Sequence, residues 1–132
     1  MAVTDGNGLP IAIGIFSASP HESQLVEETL SATFADFDLE RLIGDKAYDS
    51  DDLDDRLYCE RGIELIAPNR ENKKNQKQDG RQLRRYKRRW KVERFFSWLH
   101  SFRRVVTRFE YDAENFLGMV QLACIKILIR QF

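Results

Sequence analysis

The chain is short of cysteine, of uninterrupted apolar sequence and of net charge, and each shortage removes a class of protein. Its two cysteines, Cys59 and Cys124, stand far apart in 132 residues with no CxxC partner and no nearby paired histidine. That is the pattern of two reduced thiols in a cytoplasmic protein, and it sets aside a disulfide framework or a structural zinc site. The opening MAVTDGNGLP has neither the basic nor the apolar region of a signal peptide. Near the C-terminus the longest apolar run is interrupted by Lys126 and Arg130 and is too short for a bilayer, so no membrane role is expected.

The formal net charge of zero conceals an asymmetry. Positions 69–108 carry 15 Lys and Arg against three acids (Glu71, Asp79 and Glu93), whereas the remainder carries 6 against 18. One block is built to meet an anion. Because Tyr86, Trp90 and Phe95 interleave its cations, nucleic acid is favoured as the partner over a merely solvated face. The composition, 42% hydrophobic and 32% charged, is that of a globular protein, and 132 residues suit one domain with a real core.

Met1–Thr4 and Leu9–Ser17 read as strands joined by the turn Asp5-Gly6-Asn7-Gly8, a hairpin signal. Ser19 as N-cap, Pro20 at the first helical position and Glu22 three residues after the cap predict a helix to about Ser31. Arg41–Asp45 is a short apolar strand ending in a carboxylate. Ser50 then caps an acid-opened helix that Gly62 can close, and Ile63–Ala67 forms another strand, stopped by Pro68. Such alternation predicts an α/β layer with parallel pairing after the hairpin. Residues 69–80 read as a flexible basic loop, Arg81 to about Phe102 as one long helix, and Asp112 as the cap of a final helix. In that last helix Phe116, Val120, Ala123 and Ile127 repeat at helical spacing.

At about 100° per residue, Tyr86, Arg89, Glu93 and His100 of a continuous helix lie at roughly 0°, −60°, −20° and −40°, one narrow face. A lone carboxylate there is either an i−4 partner of Arg89 or a ligand. Asp45 is likewise either a turn former or a group at the carboxyl end of a strand, where ligand sites of open α/β sheets gather. Two carboxylates brought together from a strand end and a helix suit a hard divalent cation such as Mg²⁺, which takes carboxylate, phosphate and water oxygens. Asp5 reads as a turn residue, His21 and Glu22 as helix-start residues, and Lys46 and Asp49 as loop residues flanking Asp45. Trp90 and Trp98 read as core or partner-facing rather than base-stacking.

Taken together, Leu42–Ser50 (LIGDKAYDS), Ile63–Pro68 and Tyr86–Trp98 (YKRRWKVERFFSW) resemble the DDE transposases of bacterial insertion sequences, in the groups named after insertion sequences four and five. Tyr86, Arg89 and Glu93 match the Tyr, two residues, Arg, three residues, Glu signature of those groups, and its final Lys position falls on His100. The resemblance implies an RNase H-like α/β fold, a mixed sheet with flanking helices. It makes Asp45 the second catalytic Asp and Glu93 the catalytic Glu, both ligands of Mg²⁺ or Mn²⁺. It further implies DNA contacts by Tyr86 and Arg89, with Arg84, Arg85, Lys87, Arg88 and His100 on the same basic surface.

In that family the first catalytic Asp lies on a strand before the hairpin, and this chain starts almost at the hairpin. The expectation is therefore a C-terminal part of a catalytic domain over 1–132 that lacks its first strand, a truncated or split enzyme with little activity alone. Its partners would be terminal inverted repeats and target DNA, with a second copy or an upstream-frame segment as protein partner. Two rivals stand beside it: an inactive DNA-binding or regulatory remnant, and a module whose basic face meets an acidic protein.

Overall fold

Asp5 builds the first turn. Its carboxylate accepts the N–H groups of Asn7 and Leu9, both at 2.8 Å, and Gly8 adopts φ 81°, the left-handed region that favours glycine. In the computed structural model, which describes residues 1–34, 38–71, 73 and 84–131, this turn joins β1 (Ala2–Thr4) to β2 (Pro10–Ile13). The two pair antiparallel, Ala2 opposite Ile13 and Val3 opposite Ala12. The second strand is shorter than the Leu9–Ser17 expected, because its ladder closes where Gly14 and Met1 exchange hydrogen bonds at 3.0 and 2.8 Å.

The first helix starts later than its sequence signature suggests. His21 holds an extended backbone, ψ 140°, so no helix can run through Pro20; His21 itself caps a 3₁₀ turn at Glu22–Gln24, and α1 (Val26–Ser31) follows. Beyond it, β3 (Arg41–Ile43), α2 (Asp51–Arg61) and β4 (Glu64–Ile66) form a parallel crossover unit. Both predicted ends of α2 are present. Ser50 Oγ accepts the Leu53 N–H at 3.4 Å, and Gly62 closes the helix at φ 67°.

The strands do not merge into one mixed sheet. Among the described residues they form two two-stranded sheets, β1–β2 antiparallel and β3–β4 parallel. Gly44 N–H bonds Ile66 C=O and Glu64 N–H bonds Glu40 C=O, so residues 40, 42 and 44 address β4 while Arg41 and Ile43 turn their backbone groups the other way. In β1, Met1 and Val3 address β2, which leaves Ala2 and Thr4 pointing outward. A groove lies between these two edges.

The expected continuous helix from Arg81 to Phe102 is broken. Residues 84–86 are helical, Lys87–Arg89 form a 3₁₀ turn, and α3 covers Trp90–Leu99; Arg81–Leu83 fall outside the described residues. At the C-terminal end Ser101 Oγ captures the Trp98 carbonyl at 2.7 Å, offering the backbone an alternative to another helical turn. A short α4 (Arg103–Val106) then leads to α5 (Ala113–Ile129). Asp112 sits at the N-cap position of α5, yet its carboxylate takes the Asn115 side-chain amide rather than a backbone N–H.

Two apolar cores result. Phe95 and Leu99 of α3, Ile13 of β2 and Val120, Ala123, Cys124 and Ile127 of α5 make one. Val26, Leu30, Leu53, Leu57 and Ile63 make the other. Strand alternation divides β1 between them, with Ala2 packed on the first and Met1 and Val3 on the second. Cys59 is exposed, and burial pushes the Cys124 thiol up to about 11, so it remains protonated in its core. Among the described residues no helix is long and apolar enough to cross a membrane.

Candidate functional site

The groove between β1 and β3 measures about 910 Å³ and is lined by both strands, by Asp45 and Tyr48, and by Arg88, Arg89, Val92, Glu93 and Phe96. Asp45 and Glu93, distant in sequence, thus border one concavity. Asp45 follows β3 and caps the 3₁₀ turn Lys46–Tyr48, its Oδ1 accepting the Ala47 N–H at 2.8 Å. The turn-former and strand-end readings of Asp45 therefore describe the same residue, since only one carboxylate oxygen is used by the turn. Gly44 gives the neighbouring ring its seat, because a Cβ there would lie 2.8 Å from Tyr48 Cδ2. Burial first, then the carboxylates of Glu22 and Asp45, raise the pKa of the Tyr48 phenol, so it stays a neutral donor beside them.

A second set of contacts holds the loop after Asp45. Arg70 donates from its guanidinium to the carbonyls of Lys46 and Ala47, at 3.2 and 2.9 Å, and from its backbone N–H to Asp49 at 2.7 Å. Lys73 Nζ bonds Asp49 and Asp51, each at 2.7 Å, and the Asp49 side chain is only 7% exposed. Those hydrogen bonds, Asp49 first, raise the Lys73 pKa. From sequence, Arg70 and Lys73 belong to the flexible basic loop. The signal that could have found them is the acidic run at Asp49, Asp51 and Asp52, which one crossover returns toward the start of the basic block. The rest of that loop, residue 72 and residues 74–80, lies outside the described residues.

Glu93 is held differently. Its Oε1 accepts Arg89 Nη2 at 2.9 Å, Arg89 Nη1 donates to the Tyr86 hydroxyl at 3.0 Å, and the guanidinium carbon lies 5.4 Å from the Tyr86 ring centroid. Tyr86, Arg89 and Glu93 therefore meet as their spacing predicts. His100 does not join them, because it stands about two helical turns beyond Glu93, exposed at the C-cap of α3. Arg84, Arg85, Lys87 and Arg88 are exposed, and Arg88 also borders the groove.

Neighbouring residues of α3 fasten it to the hairpin. Lys91 donates to Gly6 C=O and Arg94 to Asn7 C=O. The Arg94 guanidinium lies between Trp90 and Trp98, 4.9 and 4.8 Å from their centroids. The two tryptophans thus serve α3 packing, although Trp90 is half exposed.

The donor chemistry at the groove suits a hard cation, because Asp45 and Glu93 carry carboxylate oxygens. Their number falls short of the three carboxylates implied by the resemblance. Among the described residues no group of three or more His, Cys, Asp or Glu could hold a metal ion. Asp5, the nearest substitute in sequence, spends its carboxylate on the hairpin turn.

An α/β chain with a carboxylate at a strand end, another on a basic helix and a groove between them has the parts of a DNA-processing domain. The profile of the family described as Transposase DDE domain matches residues 1–128, and the chain belongs to that family. It is 31% identical over 133 residues to a Brucella ovis protein named as a transposase for insertion sequence element IS6501, covering 98% of this chain and 95% of that one. A Burkholderia cepacia protein named as a transposase for insertion sequence element IS402 is 32% identical over 130 residues; the match takes in 92% of this chain and 58% of the relative. No solved structure matches. Family membership ties the chain to DNA transposition in general, and the family generally uses divalent metal ions.

Proposed function

We propose that residues 1–132 are the Asp45- and Glu93-bearing part of a DDE transposase catalytic domain that cleaves and joins DNA strands at insertion-sequence ends. The observation that carries this reading is the shared groove, where both carboxylates stand beside Arg88 and Arg89. The fold is read as RNase H-like.

Asp45 and Glu93 would hold Mg²⁺ or Mn²⁺, with Asp45 offering the oxygen its turn does not use. When bound, such ions activate an attacking water or 3′-hydroxyl and steady the leaving oxygen. Arg89 can grip a phosphate bidentately, and in doing so it exchanges the Glu93 carboxylate for a DNA oxygen. Glu93 is then released toward the groove. Tyr86 keeps Arg89 oriented and presents a ring and a hydroxyl to the backbone of the DNA. Arg84, Arg85, Lys87 and Arg88 extend the positive surface along terminal inverted repeats and target DNA.

One observation favours a second reading, an inactive DNA-binding or regulatory remnant: no group of three or more His, Cys, Asp or Glu among the described residues could hold a metal ion, and Glu93 is ion-paired with Arg89. Nicking of the DNA flanking the chain's own gene separates the two. With Mg²⁺ and any upstream-frame segment supplied, nicking is expected to vanish in Asp45→Ala and in Glu93→Ala while DNA binding persists. Equal nicking by these variants would assign the activity elsewhere. Binding without nicking by the parent protein would favour the remnant.

A further inference from the structure

We propose that residues 103–111, which comprise α4 and the link to α5, form a binding site for unpaired nucleotides of a DNA strand, with Phe109 and Tyr111 stacking on bases and Arg103 and Arg104 meeting phosphates. The site goes beyond strand cleavage and rests on that reading only for DNA as the partner. It stands apart from the groove that Asp45 and Glu93 border, since none of its residues lines that groove.

The link to α5 engages its ionic side chains with itself and leaves its rings to solvent. Glu110, its side chain 11% exposed, accepts Arg104 Nη1 at 3.0 Å and the Phe109 N–H at 3.2 Å. Arg108 turns its guanidinium back onto the carbonyls of Glu110 and Tyr111, at 2.8 and 2.7 Å, and lies 5.4 Å from the Phe116 ring centroid. Phe109 and Tyr111 are left 67% and 97% exposed. A single exposed apolar side chain needs no explanation, but two rings on one pinned segment beside two arginines form a patch, and such patches mark interaction sites.

The chemistry of the patch selects the ligand. Arg103, Arg104 and Phe109 line a hollow of about 280 Å³, just short of the roughly 300–1,000 Å³ of small-molecule sites, so it suits one flat group laid against a ring rather than a whole molecule engulfed. Guanidinium groups favour phosphate, and a ring offers its face to another flat π-system. An unpaired nucleotide carries both groups. In a duplex the base faces are stacked on one another and only edges are free, so rings that need a face select a single strand. An acidic peptide would match the arginines but leave Phe109 and Tyr111 without a flat partner. Glu110 holds Arg104 and the Phe109 backbone at once, which fixes the phosphate contact relative to the base contact.

Two fluorescent probes test the site without metal: an oligothymidylate of about ten nucleotides and a blunt hairpin duplex. Phe109→Ala and Tyr111→Ala are each expected to weaken binding of the single strand by about fivefold or more, with duplex binding changed by less than about twofold. Phe109→Trp keeps a ring and should bind the single strand at least as well as the parent. Arg103→Ala should make the slope of log affinity against log salt on the single strand shallower by about 0.7. Because both rings are exposed, the thermal midpoint should not move in these variants. Single-strand affinity unchanged in either alanine variant, an equal loss on the duplex, or a parent chain that does not bind the single strand would overturn the site and leave the patch to a protein partner. None of these outcomes touches the nicking assignment, which is judged by Asp45→Ala and Glu93→Ala, and an absence of nicking leaves single-strand binding readable.

Discussion

The parts of the molecule that carry Asp45 and Glu93 hold their carboxylates by opposite means. Asp45 is fixed through the backbone, with one oxygen on the Ala47 N–H and the following loop clasped by Arg70, Asp49 and Lys73. Glu93 is fixed through its helix. Its own side chain is 59% exposed and held by a single ion pair, whereas Phe95 and Leu99 two and six residues on are buried at 0% and 3%. The difference teaches that one carboxylate is preset and the other is released by whatever competes for Arg89.

The comparison breaks most forcefully at Phe95. Truncating a fully buried Phe costs about 3–5 kcal/mol, from lost transfer energy and the cavity left behind, so Phe95→Ala should lower the urea midpoint severely. If α3 is anchored by its core, as argued, the contacts of Lys91 and Arg94 with the hairpin cannot compensate. A loss well below 1 kcal/mol would show that those polar contacts carry the helix instead.

A smaller effect is expected on the other side, at Asp49. Its carboxylate accepts the Arg70 N–H and the Lys73 ammonium in a nearly closed setting. Hydrogen bonds to charged groups are worth about 1.5–3 kcal/mol, so Asp49→Asn should destabilise by an amount in or just below that range. Asp52, which pairs with Arg56 on the exposed surface, provides the reference, and Asp52→Asn should cost only about 0.3–0.5 kcal/mol. Equal costs would mean that the Asp45 loop is no better fixed than an ordinary helix surface. Faster exchange of the Ala47 amide in Asp49→Asn alone would sharpen the contrast.

Much of this contrast was legible in the sequence, for identifiable reasons. The hairpin turn, the Ser50 and Gly62 ends of α2 and the Tyr86-Arg89-Glu93 contacts all arise from neighbours within a few residues, where spacing dictates geometry. The Arg70–Lys73 clasp does not. It joins residues more than twenty positions apart, and nothing local distinguishes Lys73 from the cations around it. The displaced first cap and the early end of the long helix failed for a different reason: His21 and Ser101 compete with the expected signals through their own side-chain hydrogen bonds. Two sheets in place of one could not be read from strand patterns, because pairing between β1 and β3 depends on what stands between them.

The mildest perturbation is the most informative about function. Arg89→Ala removes an exposed i,i+4 pair worth about 0.3–0.5 kcal/mol, so folding should barely change. Binding should respond more. If Arg89 neutralises one phosphate, its loss lowers affinity and makes the slope of log affinity against log salt shallower by about 0.9 on duplex DNA. Arg89→Lys separates charge from geometry, since a lysine keeps the phosphate contact as a point charge but cannot hold a bidentate grip while facing Tyr86. The expected order of affinity is parent, then Arg89→Lys, then Arg89→Ala, at nearly constant stability. An unchanged salt slope in Arg89→Ala would leave Arg89 as a partner of Glu93 alone, and the second carboxylate would then be held as firmly as the first.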